Sequence, residues 1–411
     1  MTMEEFYQES LGLSQPWQVG RVELDKKAGR VDIWLVHPDR VRWQCPCCKE
    51  SLGVYDHIPE RVWRHLDTCE YRTYLHARLP RVSCAKHGVV QVRAPWAEGD
   101  TRTTVAMESR CIDVLKECDV EGAGRLTGAG WGVLWEVLER AVARGQRRKK
   151  RYLPEYLGVD EKSFAKRHQY ETLVVDLRRK TVEYVGDERK ETSLREYFAG
   201  FSVKARARVK VVAMDMWDPY IAAVRKEIPG GEDKIVFDKF HVLGQVSEAV
   251  DAVRRQENKA LVKEGDDTLK GTRYLWLSAP EHIPEWRRSE FEALQMKDLK
   301  VGRAWAIKEN LRQLWICGSE EEAESFFQHW YGWARRSRLA PVVKAAGTLK
   351  HYLGGVLRSV SHRVTNACIE GINSKIETIK KMACGYRNRE HFKTVIYFHC
   401  GGLSLYPSKT G

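Results

Sequence analysis

Two sets of residues in this chain have the types and spacing to do chemistry, and they ask for different metals. In WQCPCCKE, Cys45 and Cys48 form a C-x2-C knuckle, and RVSCAKHG supplies Cys84 and His87 at the same internal spacing. Each tight turn presents two ligands to one ion, so two knuckles joined by a β-rich segment can close a tetrahedral zinc site. Four ligands leave no open position, which makes such a zinc structural. Cys47 is a spare thiol beside them, and His57, His65, Cys69 and His76 lie between the knuckles. The competing reading is a group of buried free cysteines with scattered histidines.

The second set is carboxylate. VKVVAMDMWDPY reads as a buried strand that runs into Asp215, and LGVD is a short apolar strand ending at Asp160. Burying an unpaired charge is costly. Two anions brought close together repel, and the usual remedy is an oxygen-preferring divalent ion, Mg2+ or Mn2+. A third ligand is expected from TNACIEGINSKIETIKKMACG. There Ile369, Ile372, Ile376 and Ile379 recur at helical spacing, while Asn366, Glu370, Asn373 and Glu377 line another stripe. Glu370 lies one turn in, where it can face the strand ends, and Glu377 is the second candidate. Spacing alone does not choose between these and a plain solvated face. Gly385 is expected to stop the helix.

These residues need elements to hold them. Residues 16–45 read as a hairpin, QVGRVEL and VDIWLV about a DKKAG turn. Residues 101–145 are a helical block in which a short helix, a Gly-rich turn and WGVLWEVLERAVARG suggest a helix-turn-helix. Its reading helix would run from Trp131 to Arg144 and carry Arg140. The basic run Arg147, Arg148, Lys149, Lys150, Arg151 follows, read either as a solvated linker or as a phosphate contact. From 155 the order strand, strand, strand, helix, strand, helix, strand is that of a ribonuclease H-like core, in which the first and fourth strands are neighbours. Residues 242–360 are helical and break that run, as an inserted α-helical domain would.

The chain has 411 residues and a formal net charge of +13, which favours polyanionic partners. Its 11 cysteines, an odd count behind an acidic, polar start, point away from a disulfide framework. We expect a cytoplasmic protein with no membrane partner.

CPCC, SCAKHG with APWAEGD, LGVDEKSF, VVAMDMWDPY, IVFDKFHV, EAVDAVRRQE, TNACIEGINSKIETIKK and GYRN occur in this order over residues 40–405. In these motifs the chain resembles the ISL3 family of insertion-sequence transposases. The resemblance implies a multidomain α+β protein with four parts. They are a β-rich zinc-binding module (1–98), a helix-turn-helix with basic linker (99–151), a ribonuclease H-like DDE catalytic domain (152–241 and 361–405) and the helical insertion (242–360). It implies the acidic triad Asp160, Asp215 and Glu370, and the zinc ligands Cys45, Cys48, Cys84 and His87. Asp238 and His241 look like a D-x2-H element that orients DNA or the metal site, although a strand-end acid capping the next helix reads equally well. Lys375, Lys380 and Lys381 are candidate DNA contacts. The tryptophans Trp276, Trp286, Trp305, Trp315, Trp330 and Trp333 are expected mainly to pack helices.

Three carboxylates holding two Mg2+ or Mn2+ ions suit in-line phosphodiester displacement, first by water and then by a freed 3′-hydroxyl. The expected partners are double-stranded DNA, as terminal inverted repeats and as target, and a second copy of the chain or more when DNA is bound. The expected setting is a bacterial cytoplasm, at the nucleoid. The alternative is a catalytically silent DNA-binding regulator derived from a transposase.

Overall fold

The computed structural model describes residues 1–165, 169–362 and 367–408. It divides into two compact units. One holds Met1–Lys150, Lys381–Cys384 and Glu390–Gly411, and the other holds Arg151–Lys380 and Gly385–Arg389. The segment 361–405, expected to complete the catalytic domain, is thus shared between them.

The first unit opens with α1 (Met3–Ser10), held at its start by a capping box of Thr2 and Glu5. The expected hairpin forms as β1 (Gln18–Asp25) and β2 (Arg30–Val36). Then come β3 (Trp43–Gln44), β4 (Ser51–Leu52), β5 (Val54–His57), β6 (Arg61–Arg64), β7 (Arg72–Ala77), β8 (Pro80–Cys84) and β9 (Gly88–Gln91). They form three small sheets, β1-β2-β7-β6, β3-β4 and β5-β8-β9. A core of Trp17, Trp43, Trp63, Ile33, Leu75 and Leu79 lies within this β region. Three helices follow, α2 (Val105–Glu117), α3 (Val120–Thr127) and α4 (Trp131–Arg148). Thr104 and Asp119 cap α2 and α3 with their side chains, and Gly128 ends α3 at φ 65°.

The second unit is built on a five-stranded sheet of β10 (Tyr156–Ala165), β11 (Gln169–Asp176), β12 (Thr181–Asp187), β13 (Val211–Met214) and β14 (Ile235–Phe237). The strand order is β12-β11-β10-β13-β14. The first three strands are antiparallel, whereas β13 runs parallel to both β10 and β14. Every residue of β13 and β14 is buried, as short all-apolar strands between two layers must be. Helices α5 (Glu191–Ala199), α6 (Val203–Ala207) and α7 (Asp218–Glu227) connect them.

The segment expected to be a helical insertion, 242–360, is helical and forms α8 (Lys239–Lys263), α9 (Arg273–Leu277), α10 (Glu285–Gln295), α11 (Lys300–Leu311), α12 (Glu320–Arg336), α13 (Ala340–His351) and α14 (Leu353–His362). Trp276 and Trp330 are fully buried, and Trp305 and Trp315 pack against the same core. Trp286 is 81% exposed and Trp333 39%. Two helices complete the chain, α15 (Ala367–Met382) and α16 (Arg389–Cys400). Gly385, at φ 98°, donates its N–H to the Lys380 carbonyl and stops α15 as expected. Asn366 lies outside the described residues. Among the described residues, no helix is long and apolar enough to cross a membrane.

Candidate metal centres

The two knuckles are built alike. The turn between β3 and β4 carries Cys45 and Cys48, and the turn between β8 and β9 carries His87 just after Cys84. In each, the residue after the second ligand takes left-handed backbone, Lys49 at φ 64° and Gly88 at φ 68°. That reversal closes the turn with both ligands on one side. Cys45 Sγ lies 3.7 Å from His87 Nδ1, Cys48 Sγ 3.6 Å from Cys84 Sγ, and Cys84 Sγ 3.5 Å from His87 Nδ1. Ligands bound at about 2.1–2.3 Å on a tetrahedron stand roughly 3.4–3.8 Å apart, so the donor set and its spacing fit zinc. Hydrogen bonding from the Cys48 backbone, and then from Cys47, helps pull the Cys45 thiol down to about 6.

The other thiols and imidazoles of this region stand elsewhere. Cys47 and Cys69 are exposed. His65 bonds Thr104 Oγ1 at 2.9 Å, and burial pushes it down to about 4. His76 sits between Asp32 and Glu60, at 2.6 and 3.0 Å. The Nε2 atoms of His57 and His37 meet at 2.9 Å.

The carboxylates converge because of strand order. β10 and β13 are parallel neighbours with Gly158 opposite Ala213. Two residues on, Asp160, midway along β10 rather than at a strand end as expected, therefore stands level with Asp215 just past β13. Oxygens of Asp160, Glu161 and Asp215 all lie within 4.8 Å of one another. Burial, and then the Asp215 charge, pushes the Asp160 carboxyl up. Burial also raises Glu161 to about 7, against the pull of Arg189, whose guanidinium is 3.0 Å away. Glu161 Oε2 is buried with no hydrogen-bond partner among the described residues. His241 Nε2 lies 2.8 Å from Asp215 Oδ1, and this bond raises the imidazole to about 9. Asp238 does cap α8, accepting from the Phe240 and His241 amides at 2.5 and 3.3 Å, so it sets the turn from which His241 reaches Asp215. An oxygen-rich cluster held this close by folding suits a hard divalent cation.

Helix α15 is laid directly on β10. Gly158 has no side chain, and any Cβ there would strike Ile369. Ile369, Ile372 and Ile376 are buried. Asn373 Nδ2 donates to Asp160 Oδ2 at 2.5 Å. Lys162 donates to the Asn373 carbonyl at 3.2 Å and pairs with Glu377 at 3.0 Å, and Lys380 donates to the Ser163 carbonyl at 2.8 Å. Glu370, one turn before Asn373 on the same stripe, is exposed and stands outside the acid cluster. Spacing alone does not find Glu161, because strand alternation assigns it to the face opposite Asp160. The adjacent acids in LGVDEK were its signal.

Of the residues expected to meet DNA, Trp131 is 56% exposed at the start of α4 and stacks on Trp135. Arg140 is held 2.9 Å from buried Glu108. Arg144 does not reach the surface. It is 3% exposed, bonded to Glu108 at 2.6 Å and to the Leu405 carbonyl at 2.5 Å, because α4 turns this face inward. The basic run is not a uniform linker either. Arg147, Arg148 and Lys150 are exposed, yet Arg148 donates to the Tyr406 carbonyl, and half-buried Lys149 donates to that of Gly401. Arg151 stacks on Phe201. Lys375 and Lys381 are exposed on α15.

A thiolate-imidazole knuckle pair ahead of a sheet with converging carboxylates defines a zinc-ribbon protein carrying a separate acidic centre. Comparison with known families gives the class a name. A model described as the zinc-finger of transposase IS204/IS1001/IS1096/IS1165 matches residues 42–87, and the ISL3-type DDE model described as transposase matches residues 157–396. The transposase for insertion sequence element IS1001 of Bordetella parapertussis is 30% identical over 390 residues, which is 93% of this chain and 95% of that protein. The transposase for insertion sequence element IS1557 of Mycobacterium tuberculosis is 25% identical over 370 residues, 84% of this chain and 83% of its own. The chain belongs to the ISL3 family of insertion-sequence transposases.

Proposed function

We propose that this chain binds the terminal inverted repeats of its insertion sequence and catalyses divalent-metal-dependent cleavage and strand transfer of DNA. The observation that carries the reading is the convergence of Asp160 and Asp215 from adjacent parallel strands, with α15 seated on the first of them. The strand order, with the first strand beside the fourth, supports a ribonuclease H-like core interrupted after β14 by the helical insertion.

In this reading Asp160, Asp215 and Glu370 would hold two Mg2+ or Mn2+ ions. When bound, such ions activate the attacking oxygen and stabilise the leaving one. The chain's own part is to fix the acids. Asn373 orients Asp160, and His241 orients Asp215 from a capped helix start. The ribbon, with structural zinc on Cys45, Cys48, Cys84 and His87, and a helix-turn-helix of α2–α4 would recognise the element ends. Trp131, Arg140, Arg147 and Lys150 are the DNA candidates on that side, and Lys375, Lys380 and Lys381 those on α15. Pairing of two ends implies a dimer or larger assembly on DNA, in a bacterial cytoplasm at the nucleoid.

The exposed position of Glu370 favours one second reading, a DNA-binding regulator without catalysis. The test uses DNA carrying the segments that flank the gene, with Mg2+, and compares wild type with Asp215→Asn. End-specific cleavage and joining, lost in the variant while binding persists, is the expected result. Tight end binding with no cleavage by either protein, under Mg2+ or Mn2+, gives the regulator.

A further inference from the structure

Before the start of β10, away from the carboxylates along that strand, lies a cavity of about 560 Å3 whose lining includes Arg151, Arg178, Arg179 and Arg208. Three of these guanidiniums are stacked on rings. Arg178 lies 4.0 Å over Tyr156, Arg179 4.4 Å over Tyr152, and Arg151 4.9 Å over Phe201. Gly200 makes room for the third, since a Cβ there would strike the Arg151 guanidinium. Arg178 and Arg179 sit in a tight turn between β11 and β12, closed by Lys180 at φ 57°.

The acids of this region are already engaged. Asp176 Oδ1 accepts the amides of Arg178 and Arg179 at 2.8 and 2.9 Å, and Oδ2 accepts the Tyr152 hydroxyl at 2.6 Å. Glu155 is paired with Lys210 at 2.8 Å, with Arg208 farther off at 3.7 Å. Among the described residues, Arg151, Arg178 and Arg179 make no salt bridge within 4 Å. A planar guanidinium held by stacking keeps its in-plane donors pointing outward, and it loses little side-chain freedom when it binds a phosphate. Three such groups around one concavity, with Arg208 beside them, form a surface for a polyanion.

We propose that this arginine cavity grips the phosphodiester backbone of duplex DNA, without reading sequence, at a distance from the point of cleavage. The separation follows from the strand. Tyr156 precedes Asp160 on β10 by about 13 Å at roughly 3.3 Å per residue, so the phosphates held here lie about four base pairs or more from the reacting one. The inference rests on the reading that DNA is the substrate.

The test measures binding of two labelled duplexes, one carrying the sequences that flank the gene and one unrelated of equal length, over a series of salt concentrations. Removing Arg178 and Arg179 together (Arg178→Ala, Arg179→Ala) is expected to lower affinity about tenfold or more near physiological salt. The slope of log K against log salt should fall by about 2 on both duplexes. Gly200→Ala, which displaces Arg151, should lower the slope by about 1, and Arg208→Ala, on an exposed side chain, by a similar amount. These two single variants carry the test if the double variant melts early.

Unchanged affinity and slope in all the folded variants would overturn the cavity while leaving the DNA reading intact. A loss confined to the flanking duplex would overturn the sequence-independent grip. A wild type that binds neither duplex would overturn the DNA reading and this inference with it.

Discussion

The ribbon and the acid centre are both clusters of metal-ligand residues, yet they are assembled in opposite ways. Each half of the ribbon site is made by one hairpin, so the chain within a few residues of Cys45 or Cys84 fixes two ligands at once. The acid centre draws Asp160 and Asp215 from two strands and Asn373 and His241 from two helices, all far apart in sequence. A local cluster survives or fails as a turn does. A dispersed one depends on the whole sheet, and its members can be brought near without being closed around an ion. Four donors at near-tetrahedral spacing make the ribbon a finished cage, whereas Glu161 has joined the acid cluster and Glu370 stands outside it.

The largest effect should come from opening the cage. Cys84→Ala, or a strong chelator, is expected to unfold the ribbon, since structural zinc contributes on the order of 10 kcal/mol in small zinc modules. Zinc content by mass spectrometry should fall from one per chain to none, with loss of end binding. Full zinc retention in the variant would break the comparison at its first half.

Next in size is Asp215→Asn, which removes one charge and almost no volume. Cleavage should drop by about 10³-fold or more, near 4 kcal/mol of transition-state stabilisation, while the melting temperature and zinc content hold. Glu370→Gln and Glu161→Gln sharpen the same contrast. If Glu370 completes the site on DNA, its replacement should cost about 10²-fold or more in cleavage and Glu161→Gln nearer tenfold. The reverse ranking would make Glu161 the third acid and α15 a packing element, and Mn2+ affinity measured on each variant separates the two.

How much of this was legible in sequence follows the same division. The gathering of the four ribbon donors was readable from spacing, because two residues in a turn fix their own geometry. Asp215 was readable as an acid just past an apolar strand, whereas Asp160, read as the end of a short strand, lies midway along β10, which runs on through Glu161 to Ala165; their meeting followed once the strand order was assigned. Glu161 was hidden by the alternation rule. Arg144 was misplaced because it sits in a basic, amphipathic helix, and nothing near it in sequence shows that α4 turns it toward Glu108 and Leu405. The uneven fate of the basic run is tertiary for the same reason. Arg148 and Lys149 are taken up by carbonyls some 250 residues on, which no local pattern encodes.

The smallest effect concerns a histidine that belongs to neither centre. His65 lies between the knuckles in sequence and is a ligand candidate by residue type, but it is partly buried, bonds Thr104, and is held down to about 4 by desolvation. The unfolded chain binds its proton near 6.5, so between about pH 6.5 and pH 4 the unfolded state holds more protons than the folded one. The stability contributed by keeping His65 neutral is therefore fully present above pH 6.5 and is lost as pH falls toward 4. The integrated loss is about 3 kcal/mol, since each tenfold difference in proton affinity between the two states is worth about 1.4 kcal/mol. His65→Asn keeps a side-chain partner for the Thr104 hydroxyl and removes the proton. Denaturant unfolding of this variant should show a shallower loss of stability across that window, with zinc still at one per chain. A lowered zinc content would return His65 to the ligand set, and an unaltered acid slope would mean that its burial gives way before it titrates.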